Sequence, residues 1–162
     1  MGSTSDMPVM KKAAEFLNEM EIPFELNALS AHRVPQLVKE FASNARKNGI
    51  KVIIAGAGGA AHLPGVVAAF TTVPVIGVPC RSSISIDGWD SILSILQMPP
   101  GIPVATVGLD ASLNAGILAS QILATDNEEI HEKVNAYKEN LKLKIAKANK
   151  DLASHEYSFR VQ

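Results

Sequence analysis

The chain has 162 residues, 47% of them hydrophobic and 5% aromatic, and its 15 Lys and Arg stand against 16 Asp and Glu for a net charge of −1. That length and apolar fraction suit one globular domain with a sizeable core and argue against disorder, while the balanced charge provides no field that would draw the protein to DNA, RNA or an anionic membrane. There is no signal-peptide pattern and no long uncharged apolar span, and the single Cys80 can make neither an intramolecular disulfide nor a thiolate metal cage. The expectation is a cytoplasmic protein that handles a small polar substrate with local groups.

The chain opens on "MGSTSD", a turn that offers hydroxyls and backbone N–H groups at the start of a helix, where an anion is welcome. In "DMPVMKKAAEFLNEM" the residues Val9, Ala13, Phe16, Leu17 and Met20 share one helical face, with Asp6 at the cap and Pro8 in the tolerant first turn. Pro23 ends that helix, and alternation of Phe24, Leu26 and Ala28 predicts a short strand over 24–29. Pro35 opens a second helix with Leu37, Val38, Phe41 and Ala45 on its apolar face, and Gly49 stops it. "KVIIA" (51–55) reads as a strand covered on both faces, "GAGGAAHL" as its loop, and Pro64 as the start of a short helix.

"PVIGV" (74–78) and "PVATV" (103–107) are two more buried strands, separated by a helix in "DGWDSILSILQM" and followed by a helix in "ASLNAGILASQILA". Alternation of strand and helix predicts a parallel sheet with helices on both sides, the doubly wound α/β class. Residues 1–124 form this domain. In 125–162 the composition changes, and Ile130, Val134, Tyr137, Leu141, Ile145, Ala148 and Leu152 recur at four-three spacing in one long amphipathic helix. That stripe can lie on its own domain or, being long for the domain, on a neighbouring subunit.

In open parallel sheets ligands bind beyond the carboxyl ends of the strands. The residues that follow the predicted strands are Ser30 to Arg33, Gly56 to His62 and "PCRSS", and Ser3 and Asp6 join them if the opening turn also follows a strand. "GAGGAAH" fits neither the dinucleotide fingerprint nor a P-loop, which lacks its Gly-Lys-Ser/Thr here; what it can do is let backbone at Gly58 approach a flat ligand, with His62 at its end. A lone loop histidine is usually solvated, but His32 stands beside Arg33 and Ser30, and imidazole is suited to moving protons near neutral pH. Arg33 with the hydroxyls of Ser3 and Ser30 could hold a phosphate, and Asp6 could accept from ribose hydroxyls. His131 and His155 fall in or beyond the charged helix and read as solvated. His32 and His62 have no acidic or thiol partner at ligand spacing, so no metal is expected.

"MGSTSD", "SAHRVP", "AGAGGAAHLPGVVAA", "PVIGVP", "ILQMPPGIPVATVG" and "NAGILASQIL" together resemble the successive blocks of the PurE family, over residues 1 to about 124. The resemblance implies a flavodoxin-like three-layer subunit, a homo-octamer with sites between subunits, and the activity of an N5-carboxyaminoimidazole ribonucleotide mutase of purine biosynthesis, which needs no ATP, biotin or metal. It implies that Ser3, Asp6 and Arg33 bind the nucleotide with help from Ser30 at the phosphate, and that His32 is the general acid/base. A related carboxylase that uses free carbon dioxide is the nearest alternative, and "AAHLPG" favours the mutase. A non-catalytic receiver-like module would need an acidic cluster at the strand ends, where this chain has Ser30, Gly56 and Pro79.

Two departures from the family pattern stand out. Val34 replaces a threonine, which leaves the neighbouring His32 and Arg33 untouched. The hydrophobic strand that the family carries ahead of "MGS" has no counterpart, and losing a central strand would expose backbone groups at about 1–3 kcal/mol each. The expectation is that this chain is a late-start version of a longer protein.

Overall fold

β-branched, apolar runs that are covered on both faces form the middle of a parallel sheet. In the computed structural model, which describes residues 1–161, β1 (Ile53–Gly58) and β2 (Val75–Cys80) pair from Ile53 opposite Val75 to Gly58 opposite Cys80. β3 (Ala105–Thr106) adds a two-residue rung beside Ile76 and Gly77, and the order among the described residues is β1-β2-β3. Gln162, the last residue of the predicted C-terminal segment, lies outside the described residues.

The helices are α1 (Met7–Glu19), α2 (Pro35–Asn44), α3 (Leu63–Ala69), α4 (Trp89–Leu96), α5 (Ser112–Ala124) and α6 (Glu128–Ala153). Val38, Val67 and Ile95 bring α2, α3 and α4 onto one face of the sheet, where they meet Ile53, Ala55 and Val75. Met10, Ala115 and Ala119 bring α1 and α5 onto the other, against Ile76 and Val78. The result is the three-layer flavodoxin-like α/β arrangement expected from the pattern of elements. Ile76 and Ile95 are fully buried, each contributing about 1.5–3 kcal/mol of transfer free energy. α1 and α5 approach closely because Gly116 has no side chain: a Cβ there would stand 3.2 Å from Phe16 and 3.4 Å from the Ala13 backbone.

Three sequence expectations need correction. Residues 24–29 run extended but form no strand, and Phe24 and Leu26 are exposed. A strand exists through its neighbours, and this segment finds only Met1, whose carbonyl accepts from the Leu29 N–H at 2.8 Å. The strand predicted over 51–55 is displaced to Ile53–Gly58, so that Gly56, Ala57 and Gly58 belong to the strand rather than to its loop. The strand predicted over 103–107 shrinks to two residues. On α2, Leu37 faces outward and is exposed, while Val38, Ala42 and Ala45 carry the packing.

α6 starts at an Asn127 side chain that accepts from the Ile130 N–H at 3.0 Å. Its first half lies on its own domain: Val134 is buried, Tyr137 meets Phe16 edge-on with ring centroids 5.0 Å apart, and Lys133 bridges Glu21 at 2.7 Å and Glu129 at 2.8 Å. Beyond Tyr137 the same stripe continues without cover, with Leu141, Ile145 and Leu152 exposed.

Candidate active site

The opening turn is built by its own polar groups. Residues Thr4–Asp6 form a single 3-10 turn in which the Asp6 carboxylate accepts from the Ser3 N–H at 3.0 Å and the Ser3 hydroxyl accepts from the Ser5 N–H at 3.2 Å, a reciprocal capping box. Asp6 does stand at the position before α1, but its carboxylate makes no bond to that helix and faces back to Ser3 instead. It is buried, at 7% exposure. Burial pushes its carboxyl above the usual aspartate range, against the backbone bond from Ser3 and the charge of the N-terminus, which pull it down. Backbone bonds tie the turn to the sheet, for the Gly2 N–H donates to the Gly56 carbonyl at 3.0 Å and the Met1 ammonium to the Asn27 carbonyl at 2.9 Å.

Pairing of Leu29 with Met1 sets the next group at the same edge. Ser30 follows immediately, and its hydroxyl and carbonyl accept from the N–H groups of Arg33 at 3.3 Å and Val34 at 3.0 Å, curling the chain into the start of α2. The tight turn puts His32 and Arg33 in solvent. Among the described residues the Arg33 guanidinium has no carboxylate partner, so it is a bidentate anion donor held free at this edge.

His62 reaches the same place from β1. After Gly58 the chain turns through Gly59 and Ala61, both with positive φ (61° and 43°), and an N–H from Ala61 to the Gly58 carbonyl at 3.2 Å closes the loop. For Ala61, which has a side chain, this left-handed conformation is strained. The loop delivers His62 to the residue before α3, where its Nδ1 lies 2.7 Å from His32 Nε2 with the rings nearly perpendicular at 88°. One hydrogen sits between these two nitrogens, so one ring donates and the other accepts. The two imidazoles therefore form a relay open to solvent, unlike an isolated pair of loop histidines.

Gly58 is glycine for a spatial reason. A Cβ there would stand 2.8 Å from the Cys80 carbonyl oxygen and 3.0 Å from Ser82 Cβ, so the end of β1 runs directly beside the loop that leaves β2. That loop is fixed by Asp110, whose carboxylate accepts from the Arg81 N–H at 2.9 Å and whose own N–H donates to the Pro79 carbonyl at 2.9 Å. Cys80 is inert as a nucleophile: burial, with the nearby charges of Asp6 and Asp110, pushes its thiol up to about 12.

Ser82 is the residue that sequence reasoning missed. Its hydroxyl is buried beside Gly58 and has no hydrogen-bond partner among the described residues, the kind of orphan that a bound polar group would satisfy. "PCRSS" marked the strand end, but nothing in it said which hydroxyl turns inward. The structure thus joins His32 to His62, Ser3 to Asp6, Ser30 to Arg33, and Gly58 to Ser82, all beyond the carboxyl ends of the strands. It leaves His131 and His155 exposed, bonded only within or at the end of α6. Among the described residues no group of three or more His, Cys, Asp or Glu could hold a metal ion, and no helix is long and apolar enough to cross a membrane.

This arrangement recurs in known proteins. The AIR carboxylase family profile matches residues 1–144. A protein from Pyrococcus abyssi named N5-carboxyaminoimidazole ribonucleotide mutase is 57% identical over 142 residues, covering 88% of this chain and 81% of that one. A chloroplastic phosphoribosylaminoimidazole carboxylase from Vigna aconitifolia is 49% identical over 155 residues, which cover 96% of this chain but 28% of the larger protein. The crystal structure of Treponema denticola PurE aligns with a TM-score of 0.78 at 32% identity, covering 94% of each chain. Sheet, turn and histidine pair thus sit in a chain that belongs to the AIR carboxylase family.

Proposed function

We propose that the chain is an N5-carboxyaminoimidazole ribonucleotide mutase of purine biosynthesis, an isomerase that moves a carboxylate from the exocyclic nitrogen of its substrate to ring carbon C4. The observation that carries the reading is the contact of His32 Nε2 with His62 Nδ1 at 2.7 Å, beside a free Arg33 and a turn of hydroxyls and N–H groups. Arg33 and the hydroxyls of Ser3 and Ser30 take the phosphate, Asp6 accepts from the ribose, and the Gly58 backbone lets the flat base approach. Protonated His32 gives its proton to the carbamate nitrogen, the C–N bond breaks and carbon dioxide is released. The enamine carbon C4 then attacks that carbon dioxide, and the proton lost from C4 returns to His32, so that atoms and charge balance without ATP, biotin or metal. His62 holds the ring of His32 and shares its proton. Carbamate loss is easy in water, so the protein's task is to confine and orient the released carbon dioxide.

The reading extends to a cytoplasmic homo-octamer with α6 laid on a neighbouring subunit. Exposed Ile84, Ile86, Trp89, Leu93 and Leu96 around α4, and Leu141 and Ile145 on α6, support association of copies. A second reading, a carboxylase that adds free carbon dioxide to aminoimidazole ribonucleotide, rests on the plant relative's name. Offering each substrate separately distinguishes the two, because turnover only with free carbon dioxide excludes the mutase. His32→Asn tests the mechanism: substrate still binds at equilibrium while turnover falls by a factor of about 10²–10⁴. Near-normal turnover would remove His32 from the chemistry.

A further inference from the structure

Below the opening turn, on the edge of β1 away from β2, lies a groove of about 530 Å³ that the site does not use. It runs between β1 and the extended segment 22–29, with Met10, Leu17 and Leu123 on one face and Phe41, Leu63 and Val67 on the other. The backbone along it is poised for a ladder. The Ile53 N–H donates away from the groove to the Pro74 carbonyl, so the alternation of a strand turns the peptide groups of Val52 and Ile54 toward it.

At the upper end of the groove the ladder is already formed. The Met1 ammonium donates to the Asn27 carbonyl and the Met1 carbonyl accepts from the Leu29 N–H, so one residue bonds to the two that flank its partner, which is the parallel pattern. The next residue, Gly2, donates in the opposite direction to Gly56 of β1. Met1 and Gly2 are therefore the last rungs of a strand seated between β1 and segment 22–29, and the groove is the space for the rungs beneath them.

We propose that the groove is a strand-acceptor site, which takes an apolar, β-forming peptide segment of about five residues at ~3.3 Å each, parallel to β1 and with its carboxyl end meeting Met1. Helices cover both faces, so the segment is a continuous Val/Ile run without charges. The added main-chain bonds would clamp Met1 and Gly2, and through them the Ser3–Asp6 turn.

The test uses the whole chain in two arms, neither of which depends on activity. In the first, a five-residue Val/Ile segment is joined to Met1 and compared with a Gly/Ser segment of equal length. In the second, the Val/Ile segment is added as a free peptide with two lysines at its amino end. The expected result is a rise in unfolding midpoint of about 10 °C for the Val/Ile extension alone, with amide exchange at Val52 and Ile54 slowed at least about tenfold in either arm. Equal midpoints for both extensions, together with no protection from the free peptide, overturn the proposal. So does protection of the same amides in the unextended chain that grows with protein concentration, which makes a second copy the occupant.

Discussion

Replacing Asp6 by Asn separates the carboxylate's charge from its shape. In the native turn the carboxylate accepts from the Ser3 N–H at 3.0 Å at 7% exposure. A hydrogen bond to a charged acceptor is worth about 1.5–3 kcal/mol and one to a neutral amide oxygen about 0.5–1.5, so the change loses about 1 kcal/mol there. Removing a buried charge gives part of that back, because burial is the largest influence on Asp6 and acts against its charged form. Stability at pH 7 should therefore change by less than about 1 kcal/mol. The substrate, in the proposed reading, loses a charged acceptor for its ribose hydroxyls, worth about 1.4 kcal/mol or a tenfold rise in KM.

The pH dependence follows from the raised carboxyl of folded Asp6. The folded state holds the proton more tightly than the unfolded one, so this contribution to stability is full below the unfolded value and is lost as pH rises through the folded one. The wild type should thus lose stability relative to Asp6→Asn on going upward through that window. Its KM should rise as pH falls through the same window, because a protonated carboxyl accepts poorly, and the variant should lack that limb. Thermal unfolding and steady-state kinetics on both proteins across the acid range provide the assay. An unchanged KM in the variant, or a wild type that gains relative stability as pH rises, refutes the reasoning.

Gly58→Ala should lower stability by about 1–3 kcal/mol and raise KM, since the new methyl meets the Cys80 carbonyl at 2.8 Å and Ser82 Cβ at 3.0 Å; denaturant unfolding and kinetics read both effects. Ile95→Ala, at a fully buried position, should cost about 2–5 kcal/mol while leaving turnover per folded molecule unchanged. Because a Cβ on Gly77 would overlap Ile95 and crowd Val104, Gly77→Ala should destabilise the wild type more than it destabilises Ile95→Ala. A double-mutant cycle in urea measures that coupling, and strict additivity would show that the two residues do not compete for the same space.

Periodicity made the helices legible, for Met10, Ala13, Phe16 and Leu17 fall on one side of α1 through nothing more than 3.6 residues per turn. The strands were harder. Gly56 and Gly58 read as loop because glycine is depleted from strands, yet each is there because something presses on it: a Cβ at Gly56 would overlap Met10, and one at Gly58 would meet Cys80 and Ser82. Contacts of that kind join residues distant in the chain, and no local pattern carries them. Segment 24–29 has the alternation of a strand, but alternation states only which way side chains point, whereas hydrogen-bonded pairing needs a neighbour that the local sequence does not name.

The candidate site divides along the same line. That Ser3, Ser30, His32, Arg33, Gly58 and His62 gather at one edge was legible, because parallel strands deliver everything that follows them to the same side of the sheet. That His32 and His62, 30 residues apart, share one hydrogen at 2.7 Å was not. The difference is chemical as well as geometric. An isolated imidazole titrates by itself, but two rings with one hydrogen between them titrate as a pair, and any pH dependence of turnover belongs to both. In the proposed mutase the proton given to nitrogen and recovered from carbon is therefore held by a two-ring unit, and the loop from Gly58 to His62 acts in the chemistry as directly as the turn that carries His32.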